Sequence, residues 1–160
     1  MKIDCHKTLH KNSGTVKKTS IKSNIMKIIM LSGPASSGKT TTINMVYEEL
    51  VQLGASPIIP RPASVNIRDF EALVDFTSTK GVCNKIALAS FGDYSLEVLH
   101  HMSYYEGMGC DVLICTCRDY FSHPFNRLKN RYGGSHSVIT KVAPNDVDNL
   151  RARNAIISLI

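Results

Sequence analysis

The residues best suited to chemistry lie together at Gly33-Pro34-Ala35-Ser36-Ser37-Gly38-Lys39-Thr40-Thr41. An apolar run, Ile28-Ile29-Met30-Leu31, leads into them and a helical pattern leads out. Glycines at both ends let the backbone turn where a Cβ would obstruct it, so successive N–H groups can converge on one concavity. A helix opening near Lys39 adds its unpaired N–H groups and the positive end of its dipole, which favours an anion. The Lys39 ammonium is long enough to reach the outer phosphates of a nucleotide, and the Thr40 hydroxyl is a hard oxygen donor suited to Mg²⁺. Two elements must hold this group in place. The apolar run reads as a buried strand. Ile43, Val46, Leu50 and Leu53 fall at 3, 4, 3 spacing as one stripe of a helix, with Gly54 placed to end it.

Strand, Gly33-x-x-x-x-Gly38-Lys39-Thr40 and helix, in that order, resemble the Walker A region of the P-loop NTPase superfamily. The resemblance implies an α/β chain with the three-layer P-loop NTPase fold, about five mostly parallel strands with helices on both faces. It also implies ATP and Mg²⁺ as cofactors. By the same resemblance Gly33, Pro34, Ala35, Ser36, Ser37, Gly38, Lys39, Thr40 and Thr41 bind the phosphates, Lys39 is catalytic and Thr40 is a metal ligand. Such proteins place an acid beyond an apolar strand opposite the threonine. The strand Lys85–Phe91 ends in Gly92-Asp93, so Asp93 is the Walker B-like candidate for metal binding and catalysis, although Phe91 and Gly92 intervene between run and acid. The plain alternative is a turn aspartate that caps the next helix. Asp119 is the second acid candidate, and Asp111, at the entry of its strand, is a poor one.

Further along, Ser56–Pro62 reads as a short second strand in which Pro57 and Pro60 remove ladder donors and argue for an edge. Arg61 would emerge at its carboxyl end, either to clamp a substrate phosphate or as a solvated charge. Residues 66–75 read as a short helix with Asn66 as cap and Phe70, Leu73 and Val74 inward. A helix over 94–106 places Leu96, Leu99, Met102 and Tyr105 on its core face, with His100 and His101 at the surface or rim. A fourth strand, Val112–Cys117, ends in Arg118-Asp119 on the ligand side, which makes both residues substrate candidates. The polar segment from Tyr120 to Gly134 carries Arg127, Lys129 and Arg131. It loosely resembles the mobile segment with which nucleotide kinases close over phosphates, and that resemblance makes Arg127 and Arg131 catalytic candidates. Against this stands a charged surface loop. Ser137–Val142 gives a fifth strand, and Asn145 or Asp146 caps a final helix through Ile157. By analogy, the turn around Val142 to Asn145 touches the base.

The chain of 160 residues carries a formal charge of +6, but residues 1–25 hold six lysines against one aspartate, which leaves +1 for the other 135. The basicity belongs to this N-terminal extension, which is polar and reads as disordered, while 26–160 read as one P-loop NTPase domain. The extension fits a basic arm for nucleic acid or an acidic partner, a solvated tail, or residues upstream of a start at Met26. It has no apolar signal segment, and five cysteines, an odd number, suit reduced thiols in a cytoplasmic protein with no membrane partner. Cys115 and Cys117 share one side of a strand, and without a second pair they read as small core residues.

These features imply a small enzyme that binds ATP·Mg²⁺ and passes the γ-phosphoryl group to a small acceptor, in the manner of a nucleoside or nucleotide kinase. Two alternatives are an ATPase acting as a switch or on a protein partner, and a nucleotide-dependent nucleic-acid-binding module that uses the basic arm. The chain lacks the Asn-Lys-x-Asp sequence that would read guanine, which disfavours a GTPase.

Overall fold

Ile28 and Met30 point to one side of their strand and Ile29 and Leu31 to the other, and all four are buried. A strand apolar on both faces needs cover on both, and the computed structural model of the chain, which describes residues 25–63 and 69–160, supplies it. The elements in order are β1 (Lys27–Ser32), α1 (Lys39–Gln52), β2 (Ser56–Ile59), β3 (Glu71–Thr77), β4 (Cys83–Ala89), α2 (Ser95–Gly107), β5 (Val112–Cys117), α3 (Ser122–Arg131), β6 (His136–Thr140) and α4 (Asp146–Ser158). One six-stranded sheet runs β2-β3-β4-β5-β1-β6. The β4–β5, β5–β1 and β1–β6 pairs are parallel, while β3 lies antiparallel to both neighbours. The fold is α/β with a mixed sheet and four helices. Helices α1 and α4 cover one face, where Ile43, Val46 and Leu50 meet Ala152 and Ile156. Helices α2 and α3 cover the other, with Val98, Met102, Leu128 and Tyr132 against Met30, Leu113 and Cys115.

Helix α1 ends as its sequence suggests. Gly54 adopts φ 97°, its N–H bonds the Val51 carbonyl, and the Ala55 N–H bonds that of Leu50, a Schellman closure. Leu53, expected on the apolar stripe, is exposed. At α4 the cap is Asn145, whose side chain accepts from the Asp148 N–H at 2.9 Å. The edge position expected for the proline-bearing second strand is observed: β2 pairs only with β3, and its four residues are exposed.

Four local expectations are corrected. The helix read over 66–75 does not form: 66–68 lie outside the described residues, and Glu71–Thr77 is strand β3, paired along its length with β4. Ala72 and Val74 face α1 while Leu73 faces α2, so a strand buried on both sides imitates the apolar clustering of a helix. The sheet therefore has six strands rather than about five. The segment after β5 is no loop: α3 packs on α2 and sinks Leu128 and Tyr132 fully into the core. On α2 the buried face carries Val98, His101, Met102 and Tyr105, so His101 is inside and Leu96 is 80% exposed. The basic extension lies, but for Ile25, outside the described residues. Among the described residues no helix is long and apolar enough to cross a membrane.

Candidate functional site

Adjacent parallel strands β1 and β5 send their chains to opposite faces of the sheet, β1 into α1 and β5 into α3. Where neighbouring strands diverge in this way, a crevice opens at their carboxyl ends. The Gly33–Gly38 loop leaves β1 at that crevice and the Arg118 loop leaves β5. The Gly33 N–H still bonds the Cys117 carbonyl at 3.2 Å, so the two loops start together.

Two kinds of constraint shape the Gly33–Gly38 loop. Gly38 takes φ 82° and Ser36 takes φ 53°, left-handed conformations that turn backbone N–H groups inward. Gly33 has an ordinary φ, and its need for glycine is steric: a Cβ there would stand 2.6 Å from the Lys141 carbonyl oxygen. Behind the loop, the turn between β6 and α4 forms a rigid wall. Lys141 is fully buried and pairs with Asp148 at 2.7 Å, and its ammonium also donates to the Ala143 carbonyl. Asp148 further accepts from the Val142 and Ala143 N–H groups and from Arg151. These donors, led by Lys141, hold the Asp148 carboxyl well below the usual carboxylate range.

Helix α1 opens at Lys39 with no side-chain cap and no acidic residue in its first turn, so its N–H groups and dipole are uncompensated. The Lys39 ammonium folds back onto the loop and donates to the Gly33 and Pro34 carbonyls at 2.9 and 2.6 Å. Burial, and secondly the nearby Arg118 cation, push its pKa down. An ammonium held in this way gains from an incoming anion.

The cleft above the loop has a volume of about 380 Å³. One wall is Ala35 through Thr41; the other comes from the carboxyl ends of β4 and β5, with Ser90, Asp93, Thr116 and Arg118, and from Asp69 just before β3. Thr40 donates its hydroxyl to Asp69 at 2.6 Å. Ser90 orders this carboxylate's approach: its hydroxyl lies 3.4 Å from Asp69 and accepts from the Phe70 N–H at 2.7 Å. Asp93 instead receives Arg118, whose Nε and Nη2 lie 3.0 and 2.9 Å from one carboxylate oxygen.

The structure therefore gathers Ala35, Ser36, Ser37, Gly38, Lys39, Thr40, Thr41, Asp93 and Arg118 on one cleft, with the Gly33 and Pro34 carbonyls holding Lys39. Pro144, from the turn expected near a base, reaches the same lining. Asp119 is exposed and does not line it. Arg61 is engaged with α1 through Asn44, Glu48 and the face of Tyr47. Arg127 reaches Ser103, and Arg131 pairs with Glu106 at 2.8 Å, so both are held on α2 and outside the cleft lining.

Asp69 is the residue that sequence reasoning missed. It was hidden because 66–75 read as a helix. An antiparallel strand begins where its parallel neighbours end, so a strand reading would have put the acid before Phe70 at the ligand side of the sheet.

Cys110, Cys115 and Cys117 are buried and unpaired. Burial pushes the Cys117 thiol up to about 12, and Cys115 rises for the same reason, so these are inert core residues, as their spacing suggested. No group of three or more His, Cys, Asp or Glu residues among those described could hold a metal ion. The oxygen donors of Thr40 and Asp69 nevertheless suit Mg²⁺, which takes one or two protein ligands and fills its octahedron with water and phosphate. Comparison with family models, with curated proteins and with solved structures finds no match to this chain.

Proposed function

We propose that the chain is a P-loop NTPase-type protein that binds ATP·Mg²⁺ at the β1–α1 loop and transfers the γ-phosphoryl group to a small acceptor. The observation that carries this reading is the loop itself. Left-handed Ser36 and Gly38, an uncapped helix start and a buried ammonium with a lowered pKa converge on one cleft. An anion of the size of a polyphosphate would satisfy that arrangement.

In this reading Lys39 exchanges the Gly33 and Pro34 carbonyls for the β- and γ-phosphate oxygens, and Arg118 adds a second cation on the far wall. Thr40 and Asp69 would hold Mg²⁺, Thr40 directly and Asp69 directly or through water. When bound, Mg²⁺ neutralises the charge that builds on the phosphate oxygens during transfer. Pro144 and the turn around it border the place where the base would lie. The buried, unpaired thiols fit a reducing, cytoplasmic setting.

The test is ADP formation from ATP·Mg²⁺, alone and with a panel of hydroxyl-bearing small molecules, with Lys39→Ala as control. Acceptor-dependent ADP that is lost in the variant supports the kinase reading, and no ATP binding at all would overturn it. Asp69→Asn should weaken the Mg²⁺-dependent part of ATP affinity by about 10–100-fold, the range seen when oxygens that orient a metal site are lost. An affinity unaffected by that change would remove Asp69 from the site.

One observation favours an ATPase that acts on a partner. Arg127 and Arg131 are anchored to α2, so the lid that would exclude water from a kinase is not supplied by α3. Steady ADP production without any acceptor would select this second reading.

A further inference from the structure

The carboxyl ends of β4 and β5 are locked together at the far wall of the cleft. The Thr116 hydroxyl donates to the Ser90 carbonyl at 2.8 Å. Just beyond, Gly92 lies so close to β5 that a Cβ there would stand 2.5 Å from the Thr116 carbonyl oxygen. Asp93 follows Gly92, and Arg118 follows the last residue of β5. Both are therefore carried on one platform.

Their contact is directional. Arg118 presents Nε and Nη2 to a single oxygen of Asp93, at 3.0 and 2.9 Å. A guanidinium gripped by that edge has its plane fixed, and both N–H groups of Nη1 remain outside the grip. The Arg118 side chain is 20% exposed and lines the cleft, whereas that of Asp93 is 58% exposed. An ion pair this open adds little to stability, so its main consequence is the orientation of the guanidinium. The other carboxylate of the cleft, Asp69, is bonded to Thr40 instead.

Strand order decides what the free edge of Arg118 faces. Strands β6 and β5 flank β1 on opposite sides, and the Gly33–Gly38 loop leaves β1 between them. Pro144 comes from the β6 side and packs behind Gly38, while Arg118 comes from the β5 side. The oxygen pair suited to Mg²⁺, Thr40 and Asp69, also belongs to the β5 side, because Asp69 meets Ser90 beyond the end of β4. In a nucleoside triphosphate complex the β- and γ-phosphates share the metal. A nucleotide lying across the loop would thus run from Pro144 outward to Arg118, with its last phosphate between Lys39 and Arg118. These two cations already share the cleft, and Arg118 is, after burial, what lowers the Lys39 pKa. An anion between them relieves that repulsion.

We infer that Asp93 is a positioning residue for Arg118 rather than a metal ligand, and that the guanidinium it holds reads the terminal phosphate, so the cleft tells a nucleoside triphosphate from its diphosphate. This rests on the ATP·Mg²⁺ reading of the phosphate loop. A diphosphate ends at the loop and leaves Arg118 with Asp93 alone. A triphosphate adds charge-assisted bonds from Nη1 while Nε and Nη2 keep their grip on the carboxylate. A lysine is no substitute, because a compact ammonium lacks the planar fork that serves the carboxylate by one edge and the phosphate by another.

Calorimetry on the full chain tests this, with ADP·Mg²⁺ and the β,γ-imido analogue of ATP with Mg²⁺ as probes. Two quantities are read: the ratio of the two dissociation constants, and the Mg²⁺ concentration that half-saturates analogue binding. Arg118→Ala should lower the preference for the analogue about 10–100-fold, the range for a lost charge-assisted contact, with ADP affinity kept. Arg118→Lys should recover only a minor part of that preference. Asp93→Ala should lower the preference about 3–10-fold in the wild-type background and not at all once Arg118 is alanine, since its effect passes through the guanidinium. Loss of the carboxylate's charge favours both nucleotides alike and cancels in the ratio. The Mg²⁺ half-saturation should be unmoved by Asp93→Ala and raised by Asp69→Asn. Circular dichroism checks the fold of each variant, and Asp93→Asn, which keeps the side chain's size, replaces an alanine variant that does not fold.

Equal affinity of the wild type for the two probes would overturn the inference, as would an Arg118→Ala protein with its preference intact; in both cases the phosphate loop keeps its role. An Asp93→Ala protein that needs more Mg²⁺, or that loses preference equally without Arg118, would make Asp93 a metal ligand and overturn the positioning role. If neither probe binds, the reading of the phosphate loop fails and this inference falls with it.

Discussion

Breaking the Lys141–Asp148 pair from either side should cost different amounts, and the difference follows from what each partner leaves behind. Lys141 is fully buried and its ammonium has Asp148 and the Ala143 carbonyl as partners. Asp148 has more: the Val142 and Ala143 N–H groups at 3.0 and 3.1 Å, and two contacts from Arg151 at 2.8 and 2.6 Å. Asp148→Asn therefore leaves a buried cation with neutral acceptors only, and we expect about 3–5 kcal/mol of lost stability, the range for an uncompensated buried charge. Lys141→Met leaves a carboxylate that still has four hydrogen bonds, two of them charge-assisted by a half-exposed Arg151. Its cost should be smaller, about 1–3 kcal/mol. The double variant removes both charges and should be more stable than Asp148→Asn alone. Urea denaturation of the four proteins at pH 7 measures the cycle. The pH dependence supplies a second reading. The Asp148 carboxyl is depressed below its usual 3.8 in the folded state, so its contribution is present above that value and is lost as pH falls below it. Asp148→Asn should therefore show a shallower loss of stability in acid than the wild type. A cost for Asp148→Asn equal to or below that for Lys141→Met would refute the reasoning, because it would mean that the lysine is not buried as described.

Three further outcomes follow from the same geometry. Gly38→Ala forces a side chain into φ 82° and within 2.8 Å of the Asn149 Oδ1, so it should destabilise by about 1–2 kcal/mol and weaken ATP binding, read by thermal shift and calorimetry. Gly92→Ala brings a Cβ to 2.5 Å from the Thr116 carbonyl oxygen, so it should destabilise the domain by about 1–3 kcal/mol, read by urea denaturation. Arg131→Ala should leave both ATP affinity and transfer unchanged, since Arg131 serves Glu106 on α2; a lid role would instead appear as a large fall in rate.

Much of the candidate site could be read from the order of residues because its parts are contiguous. The strand Ile28–Leu31, the Gly33–Thr40 spacing and the stripe Ile43, Val46 and Leu50 are local patterns, and each appears where it was expected. The runs Ile86–Ala89 and Val112–Cys115 are apolar throughout because helices cover both faces of the sheet, and such runs admit little but a central strand. Where the local pattern was ambiguous, reading failed. Phe70, Leu73 and Val74 have helical spacing, yet pairing with β4 makes Glu71–Thr77 a strand. Arg127, Lys129 and Arg131 stand at alternate positions in a polar segment that reads as a mobile loop, yet Leu128 and Tyr132 sink α3 into the core. His100 and His101 look alike in sequence; packing alone buries His101 against Glu71 at 3.0 Å.

The sequence by itself determined the strand–loop–helix unit around Gly33–Gly38 and the buried character of β1, β4 and β5, since backbone turns and apolar periodicity depend on near neighbours. Tertiary structure alone decided which acid meets Thr40. Asp69 and Asp93 each lie near the end of an apolar stretch, and nothing in their immediate neighbours ranks them. The antiparallel course of β3 brings Asp69 to the Thr40 hydroxyl, and the close approach of Gly92 to Thr116 commits Asp93 to Arg118. The Thr40–Asp69 and Asp93–Arg118 contacts join residues more than twenty positions apart, which only the assembled sheet brings together.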